Sequence, residues 1–202
     1  MGFTLVEVVV VIAIIGVLSA IAAPLISKSV EDARIARAQD ETGLLAATLG
    51  TFYKDVGRWP SRDGAGTFGV VTTLISSNRG GAMGGGCTPT PDPGNPVNSN
   101  GWNSTIGPQV DYLQNHLLVN TPKGGAPYPT SGPGAWRGPY LESTWNDPWD
   151  TPYMVNVAAA ETPGGKGLVL SAGPNMVMDT PFAATRATQI AGDDVGTAFT
   201  LN

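Results

Sequence analysis

Cysteine and histidine are almost missing from this chain of 202 residues, and each shortage removes a class of chemistry. One cysteine, Cys87, cannot close an internal disulfide, so no covalent staple supports the fold and the redox compartment is not readable from pairing. One histidine, His116, excludes a His-based metal cluster and leaves any Ser-His-Asp triad a single possible base with no visible partner. The chain is therefore not expected to be an enzyme. Basic residues are also scarce: 11 Lys and Arg stand against 16 Asp and Glu, a net charge of −5, and they are scattered. No basic field gathers nucleic acid, which is excluded as an expected partner. Glycine and proline are plentiful instead, at 27 and 17, which favours turns and long loops over a large compact core. The length suits one modest domain with an attached segment.

That segment is at the N-terminus. The chain opens MGFTLVEVVVVIAIIGVLSAIAAPLI, and residues 8–27 contain no charged side chain. Such a run meets the requirement of about 18–20 residues for a helix to cross a bilayer core. A cleaved secretory signal has a basic start and an apolar stretch of only about 7–15 residues, and neither is present here. Glu7 lies about a turn inside the run, where an unpaired carboxylate is costly and usually marks a function. A bland alternative is that Glu7 reaches from the helix end to the headgroups.

The succession Gly2-Phe3-Thr4-Leu5-Val6-Glu7, the apolar run and Pro24 together resemble the processing and assembly segment of type IV pilins and type II secretion pseudopilins. The resemblance implies cleavage by a prepilin peptidase between Gly2 and Phe3 and N-methylation of Phe3. Glu7 then stands fifth in the mature chain, where the family uses it to register one subunit on the next. The physical rationale is direct: the cationic terminal amine of a neighbouring Phe3 neutralises a carboxylate that an apolar core otherwise leaves bare. Pro24 matches a helix-bending proline of the family and loosens the helix locally by removing a donor. Lys28, Arg34 and Arg37 follow the apolar run and, by the positive-inside rule, pull the C-terminal side toward the cytoplasm. The family orientation is the reverse, and the motif outweighs the charge count. The expected location is the bacterial inner membrane, single-pass, with a periplasmic head and a filament in the periplasm or on the cell surface.

On this reading residues 1–2 are a short leader, 3–26 a transmembrane and filament-core helix, and 27–60 an amphipathic continuation into the head. Leu45, Leu49, Phe52 and Val56 form one stripe, Arg37 and Glu41 stand four apart, and Gly57 and Pro60 end the helix. From residue 3 to 56 such a helix is about 80 Å long. Residues 61–137 are rich in Gly, Pro, Asn, Ser and Thr and read as variable loop, with a short helical piece near 109–118. Within it, Cys87 reads as an ordinary thiol and Asn103-Ser104-Thr105 as a weak glycosylation sequon. Residues 138–202 read as turn, strand, turn, strand, a small antiparallel sheet. Gly164-Gly165-Lys166-Gly167 lacks the spacing of a phosphate loop. The fold class is α+β: a long N-terminal helix packed on a small antiparallel head with long loops, the type IV pilin-like arrangement.

The runs DPWDTPY, GGKGLVLSAGPN and GDDV resemble those of the major pseudopilin of type II secretion. That likeness implies a calcium loop, with Asn175, where the family usually has Asp, and the pair Asp193-Asp194 as side-chain ligands, and backbone carbonyls from Leu170 to Gly173 completing the shell; Asp179 stands as the replacement for the charge that Asn175 lacks. Hard Ca²⁺ takes six to eight oxygens, which such a loop can supply. The alternative is that these residues are ordinary turn formers. The expected function is a structural subunit of a pilus-like filament, foremost the major pseudopilin of type II secretion. The alternatives are a surface-displayed type IV pilus subunit and a membrane-anchored periplasmic binding module. Implied partners are further copies in a helical filament, prepilin peptidase, minor pseudopilins, the inner-membrane assembly platform and membrane lipid.

Overall fold

A computed structural model of the chain describes residues 2, 4–67, 71–76, 102, 110–161, 165–182 and 190–200. Two compact units are present, Met1–Ala36 and Arg37–Asn202. Helix α1 (Leu5–Val56) contributes to both, with Pro24 inside it. In the first unit its apolar side chains are open: Leu5, Ile12, Val17, Ile21 and Leu25 each expose 61–80% of their surface. The most apolar stretch is long enough to cross a membrane, and none of it is buried. A helix satisfies its backbone groups internally, which is what an apolar span in lipid demands.

The second unit is built on a five-stranded sheet of β1 (Thr73–Ile75), β2 (Val110–Tyr112), β3 (Met154–Asn156), β4 (Gly167–Ser171) and β5 (Val195–Phe199). Its order is β2-β1-β3-β4-β5. Strands β1, β3, β4 and β5 pair antiparallel in succession. Strand β2 runs parallel to β1, with Leu74 opposite Asp111, so the sheet is mixed rather than purely antiparallel. Both β1 and β2 come from the region 61–137, which the sequence presents as loop. Three residues are too few for alternation to show, so TLI and VDY carry no strand signal amid Gly and Pro. The expected helical piece is α2, confined to Leu113–Leu117. Cys87 and the sequon at 103–105 lie outside the described residues.

Alternation along the strands sends side chains to two cores. On one side Val155, Val169 and Phe199 pack with Leu45, Leu49, Phe52 and Val56 of α1. On the other, Met154, Leu168 and Leu170 pack with Trp102 and Met178. The predicted stripe of α1 is thus the buried face of its C-terminal half. Glu41, expected only to pair with Arg37, does so at 2.8 Å and also accepts the Tyr153 hydroxyl at 2.5 Å, tying helix to sheet. Gly167 is required by a close approach, because a Cβ there stands 2.1 Å from the Phe199 ring.

Candidate assembly segment and candidate metal centre

The acid at the N-terminus is not bare. Glu7 Oε2 accepts both the Thr4 backbone N–H at 2.9 Å and the Thr4 hydroxyl at 2.8 Å. The Glu7 N–H returns a bond to Thr4 Oγ1 at 3.3 Å. This is a capping box, Thr4 preceding the first turn of α1 and Glu7 three residues on, with the carboxylate at the favourable end of the helix dipole. Thr4 is therefore a site residue that the reading of the sequence passed over, although its T-x-x-E spacing carries the signal. Gly2 is exposed with open space around it. Phe3 lies outside the described residues. Pro24 is exposed on the helix, and three residues on Ser27 donates its hydroxyl to the Ala23 carbonyl at 3.1 Å.

The second site sits between β4 and β5. Gly173 has φ +65°, where a Cβ is 2.1 Å from the Asp193 carbonyl oxygen. Gly192 has φ +62°, and a Cβ there is 1.9 Å from Asp179 Oδ2. Two left-handed glycines thus let the limbs of the loop touch, bringing Asp179 to the Asp193-Asp194 pair. One oxygen from each of the three carboxylates lies within 4.8 Å of the others, in half-buried surroundings. Asp194 accepts the Asp179 N–H at 3.2 Å and the Thr180 N–H at 2.6 Å. Burial raises the Asp194 carboxyl above its ordinary pKa, against the lowering effect of the bonds from Thr180 and Asp179.

Asn175 is brought to this cluster but not aimed as a ligand. Its Nδ2 donates to Asp179 Oδ2 at 3.0 Å, and its Oδ1 accepts the Val177 N–H at 2.6 Å. Its own N–H donates to Asp193 Oδ2 at 3.0 Å. Gly173 O accepts the Met176 N–H at 3.1 Å, and Leu170 lies within β4 opposite Met154 and Gly196. Asp193 Oδ1 is buried with no hydrogen-bond partner among the described residues. A buried carboxylate oxygen left bare beside two further carboxylates is costly, and a hard, oxygen-seeking cation is the group that relieves it. The donor set fits calcium.

Residues 2–23 match the family model for the prokaryotic N-terminal methylation motif. The chain is 37% identical over 73 residues to fimbrial protein EcpC of Eikenella corrodens, a match covering 36% of this chain and 46% of that protein. It therefore spans less than half the length of that relative. No solved structure matches the chain. A methylation motif leading into a long apolar helix, ahead of a helix-on-sheet α+β unit, is an arrangement consistent with a type IV pilin-like fold carrying a prepilin-type N-terminal segment.

Proposed function

We propose that this chain is the major pseudopilin of a type II secretion system, held in the inner membrane with its head in the periplasm until it polymerises. The observation that carries the filament reading is the open apolar surface of α1 ahead of Ser27, headed by a single acid held in its own helix cap. Apolar helices that pack on one another without closing a ring produce a filament, driven by the surface they bury. In this scheme prepilin peptidase cuts after Gly2 and Phe3 becomes the methylated terminus. Glu7 exchanges its bonds to Thr4 for the amine of a neighbouring Phe3, Pro24 relaxes the helix for packing, and lipid covers the monomer beforehand. Minor pseudopilins and the inner-membrane platform supply initiation and growth. Mass spectrometry of protein from the native host tests the first step: the mature chain is expected to begin at a singly methylated Phe3, and an intact Met1-Gly2 start overturns the scheme. Loss of protein secretion on deletion of the gene, with no sheared surface fibre at native expression, is the result expected of a pseudopilin. The fimbrial relative favours a second reading, a surface pilus subunit, which predicts abundant fibres by electron microscopy and unimpaired secretion.

The acidic loop belongs to the same proposal. Asp179, Asp193 and Asp194 hold calcium, with Asn175 orienting Asp179 and Asp193 through its two N–H donors. The ion supplies charge neutralisation and cross-links the two limbs of the loop. Calcium at a hundredfold excess over its Kd stabilises by about 2.7 kcal/mol, so EGTA is expected to lower the Tm of the full chain in detergent by roughly 5–10 °C. Asp193→Ala is expected to abolish that difference. A melt indifferent to EGTA removes calcium from the account.

A further inference from the structure

The sole histidine belongs to neither site, and its hydrogen bonds bear on its charge. His116 is fully buried in α2. Its Nδ1 is 2.7 Å from the Tyr128 oxygen and its Nε2 is 2.9 Å from Asp111 Oδ2. Tyr128 has one proton to give, and it gives it to the Arg62 carbonyl at 2.7 Å. Toward His116 the phenol therefore presents only a lone pair, so Nδ1 must carry a hydrogen. On the other side Asp111 Oδ1 accepts the Tyr112 N–H at 2.8 Å and Asn115 Nδ2 at 2.6 Å. Its Oδ2 accepts the Lys123 N–H at 2.7 Å besides facing His116. A carboxylate surrounded by donors on both oxygens is an acceptor throughout, so Nε2 must carry a hydrogen as well.

We infer that His116 is a buried imidazolium ion-paired to Asp111, a proton-dependent lock joining β2 and α2 to the segments that carry Arg62 and Tyr128. With Asp111 ionised, either neutral tautomer leaves a buried nitrogen lone pair facing an oxygen lone pair. The wider surroundings agree. Burial pushes the Tyr128 hydroxyl well up, so it keeps the proton it donates to Arg62. Burial also raises the Asp111 carboxyl, but the bond from His116, its charge, and the N–H groups of Lys123 and Tyr112 outweigh that and leave it below its ordinary value. The other charged groups near the network, among the described residues, are few. Lys123 Nζ donates to the Val110 carbonyl at 2.7 Å, the Arg58 guanidinium lies 5.9 Å from the centre of the Tyr128 ring, and Asp63 acts on the Tyr128 hydroxyl from a distance. The backbone of α2 is fixed from outside too, since Trp136 Nε1 donates to the His116 carbonyl at 2.7 Å.

With one histidine in the chain, the imidazole nitrogens of untagged, ¹⁵N-labelled full-length protein in detergent micelles give one pair of signals. At pH 7.5, where a free imidazole is about nine-tenths neutral, both nitrogens are expected to show protonated shifts. One protonated and one bare nitrogen overturns the inference. Asp111→Asn removes the counter-charge while keeping the shape, and the ring is then expected to be neutral at pH 7.5. A folded Asp111→Asn chain that keeps both ring protons overturns the role given to Asp111. Should that variant not fold, the spectrum of the unaltered chain decides the charge alone.

Discussion

Glu7→Gln is expected to leave the chain in the membrane and to stop it polymerising. Glutamine serves at the third position of a capping box as glutamate does, so the bonds between Thr4 and residue 7 persist and α1 still begins in the same place. What disappears is the negative charge. In the proposed filament the amine of each Phe3 then enters an apolar core with no counter-ion, and removing one partner of a buried pair costs about 3–5 kcal/mol. That corresponds to a loss of roughly two to four orders of magnitude in the association constant of each contact. The measurement compares sheared filaments by electron microscopy with the membrane-bound pool by immunoblot. Filament yield should collapse while the membrane pool is unchanged. Normal fibres from Glu7→Gln would show that residue 7 acts only as a helix cap, and the docking role would be withdrawn.

Phe52→Ala is expected to cost about 3–5 kcal/mol, a large share of the 5–15 kcal/mol that holds a typical domain together. Phe52 has no exposed surface. Its ring stands edge-on to Tyr128 at 5.1 Å and to Tyr140 at 5.6 Å, so truncation opens a cavity among aromatic rings at the seat of α1 on the sheet. Leu44 on the same helix is 52% exposed, and Leu44→Ala should stay within about 0.5 kcal/mol of the parent. Thermal unfolding of the second unit, followed by tryptophan fluorescence in the full chain, separates the two. Equal Tm values for the two variants would mean that α1 is not anchored through this face.

The N-terminal quarter of the protein is legible residue by residue, because the physics there is local. An uncharged run from Val8 to Ser27 declares its length and its solvent, and a stripe at Leu45, Leu49, Phe52 and Val56 declares which face of α1 is covered. The Thr4 cap was equally available, since its partner is three residues away. Strand β4 is readable for the same reason: five apolar or small residues between glycine-bearing turns. Strands β1 and β2 are not. Three residues each, within a stretch dominated by turn formers, take up strand geometry only because β3 provides an edge for β1, and β1 one for β2.

The two clusters in the head divide along the same line. By itself the sequence determined the long helix, its acid, its buried stripe and the carboxylate content of the last loop. Periodicity, length and charge act between near neighbours, which is why these are readable. Only the tertiary structure decided that Asp179 meets Asp193 and Asp194 while the Asn175 oxygen turns to Val177, and that Arg62, Asp111, His116 and Tyr128 share one run of hydrogen bonds. Those meetings depend on sheet register and on two glycines that allow backbone limbs to touch, and a side chain's partner across such a gap is set by the packing of the whole unit.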